Sequence, residues 1–173
     1  FGSETTVGDA STFDPMLVRF SNREDISNYA ITNETTAGDQ RLTDGSKIIS
    51  AIRSRNQILI LTDTSLHGMQ FVGDPFTFGF SQLGSNCGCA GSHAAVDVNG
   101  LAFWMGVEAF YVFDGTVKKM PCTVQDYVFD DINLDQKEKF FVGLNSQFNE
   151  LTWWYCSSGE DQINRSVTYN YLE

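Results

Sequence analysis

The chain has 173 residues, 42% apolar and 13% aromatic, a composition that excludes disorder and suffices for one domain with its own core. It carries 22 acidic and 11 basic side chains, for a formal charge of −11, which weighs against a protein that grips nucleic-acid phosphates. No apolar run approaches the roughly 20 residues needed to cross a bilayer, so we expect no membrane span.

Residues 1–45 are predicted to contain one strand and a long surface connection. The strand candidate is the apolar run at 16–20, whereas the rest of the region is polar and begins with a Gly/Ser/Thr-rich stretch. A turn signal at Asp44-Gly45 ends the region. We expect this region to form part of a larger strand unit.

Residues 46–83 are predicted to form antiparallel strands. Strand-like runs at 47–53 and 66–72 flank the apolar run at 58–61. A short apolar run bounded by turns is typical of a strand that is buried on both faces. Phenylalanines alternate strictly after Pro75, which predicts a further strand with one aromatic face.

Residues 84–121 are predicted to form a complete four-stranded unit. A loop of small residues leads into four apolar runs, which begin at residues 93, 101, 109 and 116. Asn99-Gly100 lies between the first two runs, and Asp114-Gly115 lies between the last two. Asn-Gly between alternating apolar runs is the strongest short-range hairpin signal that a sequence contains.

Residues 122–139 interrupt the strand pattern, and residues 140–173 resume it. Apolar residues from Val124 to Leu134 follow helical spacing, so we predict one short helix or ordered loop near 123–139. Three further strand-like runs then lie at 140–144, 151–156 and 166–171.

Three stretches of the chain repeat one pattern of strand-like runs and polar turns. They begin at Ser46, Ser92 and Glu138, so the spacing is 46 residues both times. Repeats of roughly 40–50 residues built from several strands are typical of β-propeller blades. We therefore predict an all-β, propeller-like fragment of about three to four antiparallel blades. Because a closed ring needs about four to eight blades, we expect the chain to be part of a larger protein.

The middles of the most apolar runs are predicted to form the blade cores. The candidates are Ile58, Ile60, Trp104, Phe110, Val112, Trp153 and Tyr155. An alternative for Trp104, Trp153, Trp154 and Tyr155 is a sugar-stacking platform. Core packing is the default for aromatic residues within apolar strands, and we favour it here.

No catalytic or cofactor-binding motif is found in the sequence. A nucleophile elbow, a Walker loop and a zinc-protease signature are all absent. The acidic pairs Asp130-Asp131 and Glu160-Asp161 occupy turns, where adjacent carboxylates do not face each other across a substrate. We therefore assign no catalytic, cofactor-binding or metal residues, and we expect the protein not to be an enzyme.

Cys87, Cys89 and His93 come closest to metal-ligand spacing. Their C-x-C pair is tighter than ordinary zinc knuckles, and a fourth ligand is not evident. Four cysteines are also too few for a disulfide-dense secreted scaffold of this length. We expect reduced thiols, some of them buried as small apolar groups.

Several short signatures follow one another between residues 16 and 173. They are AGDQRL at 37–42, DGSKIISAIRSRNQILILTDTSLHGMQFVGDPFTFGF at 44–80, GLAFWMGVEAFYVFDGTVKKMPCTVQDYVF at 100–129 and NELTWWYCS at 149–157. In this order they resemble the β-propeller tail proteins of short-tailed bacteriophages, namely the nozzle (tail tubular protein B) and the tail hub or stabilisation proteins. One departure is His67, where the family would have an aromatic residue.

The resemblance implies a structural virion protein of the phage tail. Such proteins form a homohexameric tube, through whose lumen duplex DNA passes without tight binding. They also provide attachment points for the adaptor, the fibres or a needle, and they are assembled in the cytoplasm of the bacterial host. Two alternatives stay open: a carbohydrate- or receptor-binding propeller, and a propeller glycosidase.

Overall fold

The computed structural model describes residues 1–172, and β-strands dominate it. In chain order the strands are β1 (Ser3–Glu4), β2 (Phe13–Asp14), β3 (Leu17–Phe20), β4 (Gly38–Arg41), β5 (Ile48–Ser54), β6 (Gln57–Thr62), β7 (Ser65–Gly73), β8 (Thr77–Ser85), β9 (Ala95–Val98), β10 (Leu101–Met105), β11 (Phe110–Phe113), β12 (Val117–Lys119), β13 (Phe141–Asn145), β14 (Glu150–Tyr155) and β15 (Arg165–Asn170). The predicted all-β class is confirmed.

Each of the three sequence repeats forms a sheet of its own. Strands β5 to β8 form the first sheet, β9 to β12 the second and β13 to β15 the third, and every strand pairs antiparallel with its neighbour in the chain. Asn99 and Gly100 make the tight turn between β9 and β10, both with positive φ, as an Asn-Gly hairpin requires. Two small ribbons, β1–β2 and β3–β4, precede the sheets.

The three sheets stack face to face in chain order. Between the second and third sheets, the rings of Phe110 and Trp153 are 4.8 Å apart and those of Phe103 and Tyr169 are 6.3 Å apart. The first strands of the sheets also neighbour one another. Ser50 of β5 donates to the Ser92 carbonyl just before β9, and Val142 of β13 donates to the adjacent His93 carbonyl.

Strand β6 is buried on both faces, as its continuous apolar run predicts. Ile60 packs with Met16 and Val18 of the N-terminal region, whereas Leu59 and Leu61 belong to the large core shared with the other sheets. Consecutive side chains of a strand point to opposite faces, so one apolar run can contribute to two cores.

The predicted core is confirmed for five of its seven residues, and the other two are partly buried and pack against the margin of the core. The five buried residues are Ile60, Trp104, Phe110, Trp153 and Tyr155. Ile58 and Val112 are only half-buried. Ile58 lies beside the β5–β6 turn, and Val112 pairs with Lys118 of the three-residue edge strand β12, so neither is fully covered.

The N-terminal region contains strands that the sequence pattern does not reveal. Strand β3 was expected, but its partner β4 has the polar sequence GDQR and no apolar alternation. Strand β4 takes part in two ion pairs instead: Asp39 contacts Arg19 at 3.1 Å, and Arg41 contacts Asp14 at 2.7 Å. Such cross-strand contacts depend on the fold and cannot be inferred from local hydrophobicity.

The predicted helix near 123–139 is confirmed. Helix α1 (Gln125–Phe129) buries Val128, and a 3-10 segment follows at Leu134–Lys139. The Phe129 ring lies 5.1 Å from Phe110 and so attaches the segment to the core. Among residues 1–172, no helix combines the length and the apolar character that a bilayer crossing requires.

Candidate interaction surfaces

The loop that joins the first two sheets buries its two thiols. Cys89 donates to the Gly91 carbonyl, and burial raises the pKa of Cys89 to about 12 and that of Cys87 to about 11. His93 is exposed, and its Nδ1 lies 2.9 Å from the Ser92 hydroxyl. The four cysteines are free, and within residues 1–172 no cluster of three His, Cys, Asp or Glu side chains could hold a metal ion.

Three of the four residues considered for a sugar platform are core residues. Trp104, Trp153 and Tyr155 expose at most 1% of their surface. Each indole N–H is satisfied internally: Trp104 donates to the Cys87 carbonyl at 2.8 Å, and Trp153 donates to the Ala94 carbonyl at 3.0 Å. These side chains are not accessible to a ligand.

Trp154 is different, because it lies on the outer face of the third sheet. It is half-buried and stacks on Phe141, with ring centroids 4.7 Å apart and planes 16° apart. The indole lies over Gly143, where an added Cβ would come within 2.8 Å of the ring. The hydroxyls of Thr152 and Thr168 meet at 2.9 Å on the same face. An apolar pair beside hydroxyl groups is therefore open to a partner.

A second open surface is the hairpin tip, which we define as residues 71–76, the end of β7 and the turn that leads into β8. Phe71 and Phe76 are 68% and 75% exposed. Behind them, Phe78 packs against Phe20 of β3 at 4.9 Å. A cleft of about 590 Å³ runs from the tip to Ile31 of the long connection. Exposed aromatic side chains beside a cleft make the hairpin tip a candidate interaction surface.

The two acidic pairs lie on adjoining loops. Asp131 accepts from the Ser158 amide through its carbonyl, and its carboxylate lies 3.8 Å from Arg165. The Asp161 carboxylate accepts from the Gln136 side chain. Both pairs thus belong to a solvated polar surface and have protein partners.

A buried polar cluster at the β6–β7 turn is a feature that the sequence reasoning missed. The Ser65 hydroxyl lies 2.9 Å from His67 Nε2 and 2.8 Å from the Thr62 hydroxyl, and it donates to the Asp44 carbonyl at 2.7 Å. Ser65 is fully buried and His67 is 3% exposed, so this serine and histidine cannot reach a substrate. The cluster joins the turn to the N-terminal connection.

Asp63 accepts hydrogen bonds from the residues that precede the first strand of the first sheet. Partial burial alone would raise the pKa of Asp63, but hydrogen bonds from Ser46 and from the Lys47 amide outweigh it, and the pKa falls below its usual 3.8. Because the folded pKa is lowered, this carboxylate stabilises the fold above pH 3.8 and loses that effect as pH falls through its folded pKa.

We expect Asp63→Asn to reduce stability near neutral pH and to lose that difference in acid. Denaturation curves recorded between pH 2.5 and 7 would measure both proteins, and the curves should converge below pH 3.8. Ser46→Ala removes one donor and should move the acid transition of Asp63 upwards towards pH 3.8. A constant difference between wild type and Asp63→Asn at every pH would contradict this assignment.

The chain matches no protein-family model and no curated protein in sequence comparisons.

Proposed function

We propose that the chain is part of a structural tail protein of a short-tailed bacteriophage, of the nozzle or tail-hub type. In this proposal the three stacked sheets are consecutive blades of a β-propeller. The signatures that resemble the phage proteins fall on β4 of the N-terminal region, on most strands of the first two sheets, on helix α1 and on β14 of the third sheet. In the same proposal the protein is part of the virion tail and is assembled in the cytoplasm of the bacterial host.

The observation that carries the proposal is the arrangement of the first strands. Propeller blades surround an axis, and the corresponding strand of each blade lies closest to it. In this chain β5, β9 and β13 are the first strands of their sheets, and they neighbour one another through Ser50, Ser92, His93 and Val142. Three separate antiparallel sheets whose first strands neighbour one another favour a propeller over a sandwich of two sheets.

Open surfaces at both ends of the stack support a role in assembly. The hairpin tip lies on the side of the N-terminal region, and the Phe141–Trp154 pair lies on the outer face of the third sheet. A stable protein interface buries about 1,200–2,000 Å², and aromatic residues are enriched at its centre. Both surfaces offer such residues without a catalytic constellation.

Electron microscopy of the purified full-length protein tests the class directly. A six-fold ring with an open lumen is the expected result. A monomer at all concentrations, with measurable hydrolysis of a glycan, would support the propeller glycosidase instead.

We expect the double change Phe71→Ser and Phe76→Ser to weaken assembly without unfolding the chain. Both side chains are mostly exposed and the main loss is the edge contact of Phe71 with Phe78 at 6.0 Å, so the free energy of unfolding should change by only about 1 kcal/mol. Analytical ultracentrifugation of the full-length protein should show smaller species. Phe148→Ser is a matched control, since Phe148 is 58% exposed but lies in a different turn. Unchanged assembly of the double variant would exclude the hairpin tip as a subunit contact.

We expect the protein to bind duplex DNA weakly or not at all. The formal charge is −11, whereas DNA carries about one negative charge per 1.7 Å of its axis. A conduit must let the duplex slide, and a basic lining would hold it through counterion release. Fluorescence anisotropy at physiological salt should give a Kd above about 100 µM. Tight binding that weakens steeply with salt would argue against a passive channel.

A carbohydrate- or receptor-binding propeller is the second candidate, favoured by one observation. Phe141 and Trp154 form a flat, accessible aromatic pair next to the Thr152 and Thr168 hydroxyls. Aromatic faces with adjacent hydroxyl groups can stack on a sugar ring and bond its oxygens. A glycan array would reveal this activity, and Trp154→Ala should then abolish it.

A further inference from the structure

The cleft beside the hairpin tip has two walls, and both belong to internal segments of the chain. Residues 31–40, from the long connection and β4, form one wall, and residues 74–80 form the other. The walls are joined where the Thr77 hydroxyl donates to the Thr36 carbonyl at 3.2 Å and where the Phe20 and Phe78 rings are 4.9 Å apart. The cleft is therefore held open by contacts of the folded chain.

The wall on the hairpin side extends beyond the rest of its sheet. Pairing of β6 with β7 ends at Met69, whereas β7 and β8 stay paired as far as Gly73 and Thr77. The last part of the hairpin is thus not covered by β6, and Phe76 at its tip is exposed. Because the hairpin is already paired, a partner that binds there has little ordering to bring about.

The lining of the cleft combines aromatic rings with carboxylates and contains no basic side chain. The aromatic residues that line it are Phe20, Phe76, Phe78 and Phe80. The acidic residues that line it are Glu34, Asp39 and Asp74. Asp39 is paired with Arg19 at 3.1 Å, but within residues 1–172 Glu34 and Asp74 have no ion-pair partner. Two uncompensated negative charges therefore lie beside aromatic rings.

This combination favours a cation that is weakly hydrated. A purely apolar partner would remove water from Glu34 and Asp74 and leave both charges unpaired, which is costly. A phosphate or an acidic segment would be repelled by the same two carboxylates. A guanidinium group pairs with carboxylates and also stacks on aromatic rings, whereas an ammonium group is compact and strongly hydrated. The chemistry of the cleft thus selects arginine over lysine.

Five of the six arginines of this chain already have partners. The partners are Asp39 for Arg19, Glu24 for Arg23, Asp14 for Arg41, the Asn99 carbonyl for Arg55 and Asp131 for Arg165. Within residues 1–172, Arg53 of β5 is the arginine left without a side-chain partner. A different protein is therefore the favoured source of the arginine, and a second copy acting through Arg53 is the alternative that the experiment tests.

We propose that the cleft binds a segment of a different protein through one arginine side chain. The guanidinium group lies among the aromatic rings and pairs with Glu34 or Asp74, and apolar neighbours of the arginine contact Ile31 and Pro75 on the two walls. The cleft volume of about 590 Å³ is in the range of sites that bury a ligand of this size. This inference goes beyond the proposed function, because it requires neither a phage tail nor a ring of copies.

The probe is a capped peptide, acetyl-Ser-Leu-Arg-Leu-Ser-amide, titrated into the full-length protein by calorimetry. Its matched control carries citrulline, which has the shape of arginine without the charge. We expect saturable binding of the arginine peptide and a loss of about tenfold in affinity with citrulline. The double change Glu34→Gln and Asp74→Asn should weaken the arginine peptide by about the same factor. Glu108→Gln with Asp126→Asn removes as much charge from exposed positions outside the cleft and should bind as the wild type does.

Three results would overturn the proposal. One is absence of binding at millimolar arginine peptide, and another is equal affinity for the citrulline peptide or in the Glu34/Asp74 variant. The third is loss of self-association in both the Glu34/Asp74 variant and Arg53→Gln, measured by analytical ultracentrifugation, because a second copy would then occupy the cleft. Selective binding of the arginine peptide by a protein that forms no ring would support this inference and count against the proposed function alone. If circular dichroism shows that the Glu34/Asp74 variant is unfolded, Glu34→Gln replaces it, with a smaller loss of affinity expected.

Discussion

Replacing Trp153 with alanine is expected to destabilise the protein by about 3–5 kcal/mol, the usual cost of emptying a buried tryptophan site. Trp153 is 1% exposed, and its ring lies 4.8 Å from Phe110 of the second sheet. Its indole N–H donates to the Ala94 carbonyl at 3.0 Å. The substitution therefore leaves a cavity between two sheets and removes one of the two hydrogen bonds that the Ala94 carbonyl accepts, since the Met105 amide donates the other. Urea denaturation followed by circular dichroism would measure the change.

The neighbouring Trp154 provides a matched control on the same strand. It is half-buried on the opposite face, where its main contact is the stacked ring of Phe141. Loss of one aromatic pair and partial apolar burial should cost about 1 kcal/mol. Equal destabilisation by the two substitutions would contradict the burial difference. Wild-type stability of Trp153→Ala, with loss of glycan binding, would favour the carbohydrate-binding alternative.

The sequence predicts the three sheets because the strands and turns have local signals in the sequence. Asn99-Gly100 fixes a hairpin by the positive φ that both residues adopt, and the apolar run around Ile60 identifies a strand buried on two faces. The polar strand β4 has no comparable signal, since Asp39 and Arg41 pair with residues that are distant in the chain. Its formation depends on tertiary contacts, which a local pattern does not contain.

The candidate surfaces were less predictable than the fold. Trp153 and Trp154 are adjacent and chemically identical in the sequence, yet alternation places one in the core and the other on an open face. The alternation around them predicts opposite faces, but only the stacking order of the sheets decides which face is covered.

Gly88 is expected to be among the least tolerant positions in the chain. An added Cβ would lie 1.9 Å from the Asp63 carbonyl oxygen, a backbone atom that cannot move alone. The flanking amides of Cys87 and Cys89 donate to the carbonyls of Thr64 and Thr62, so the loop and the β6–β7 turn are held together on both sides of the clash.

We therefore expect Gly88→Ala to cost about 3 kcal/mol, at the upper end for overpacking, because relief of the clash must break one of these backbone bonds. Thermal and urea denaturation would measure the loss. Ser85→Ala, at the exposed end of β8, is the control and should stay within about 0.5 kcal/mol of wild type. Wild-type stability of Gly88→Ala would mean that the loop is free to move away from the turn. In that case the small residues at 84–91 would act as a hinge between the first two sheets, and the sheets would not be rigidly joined.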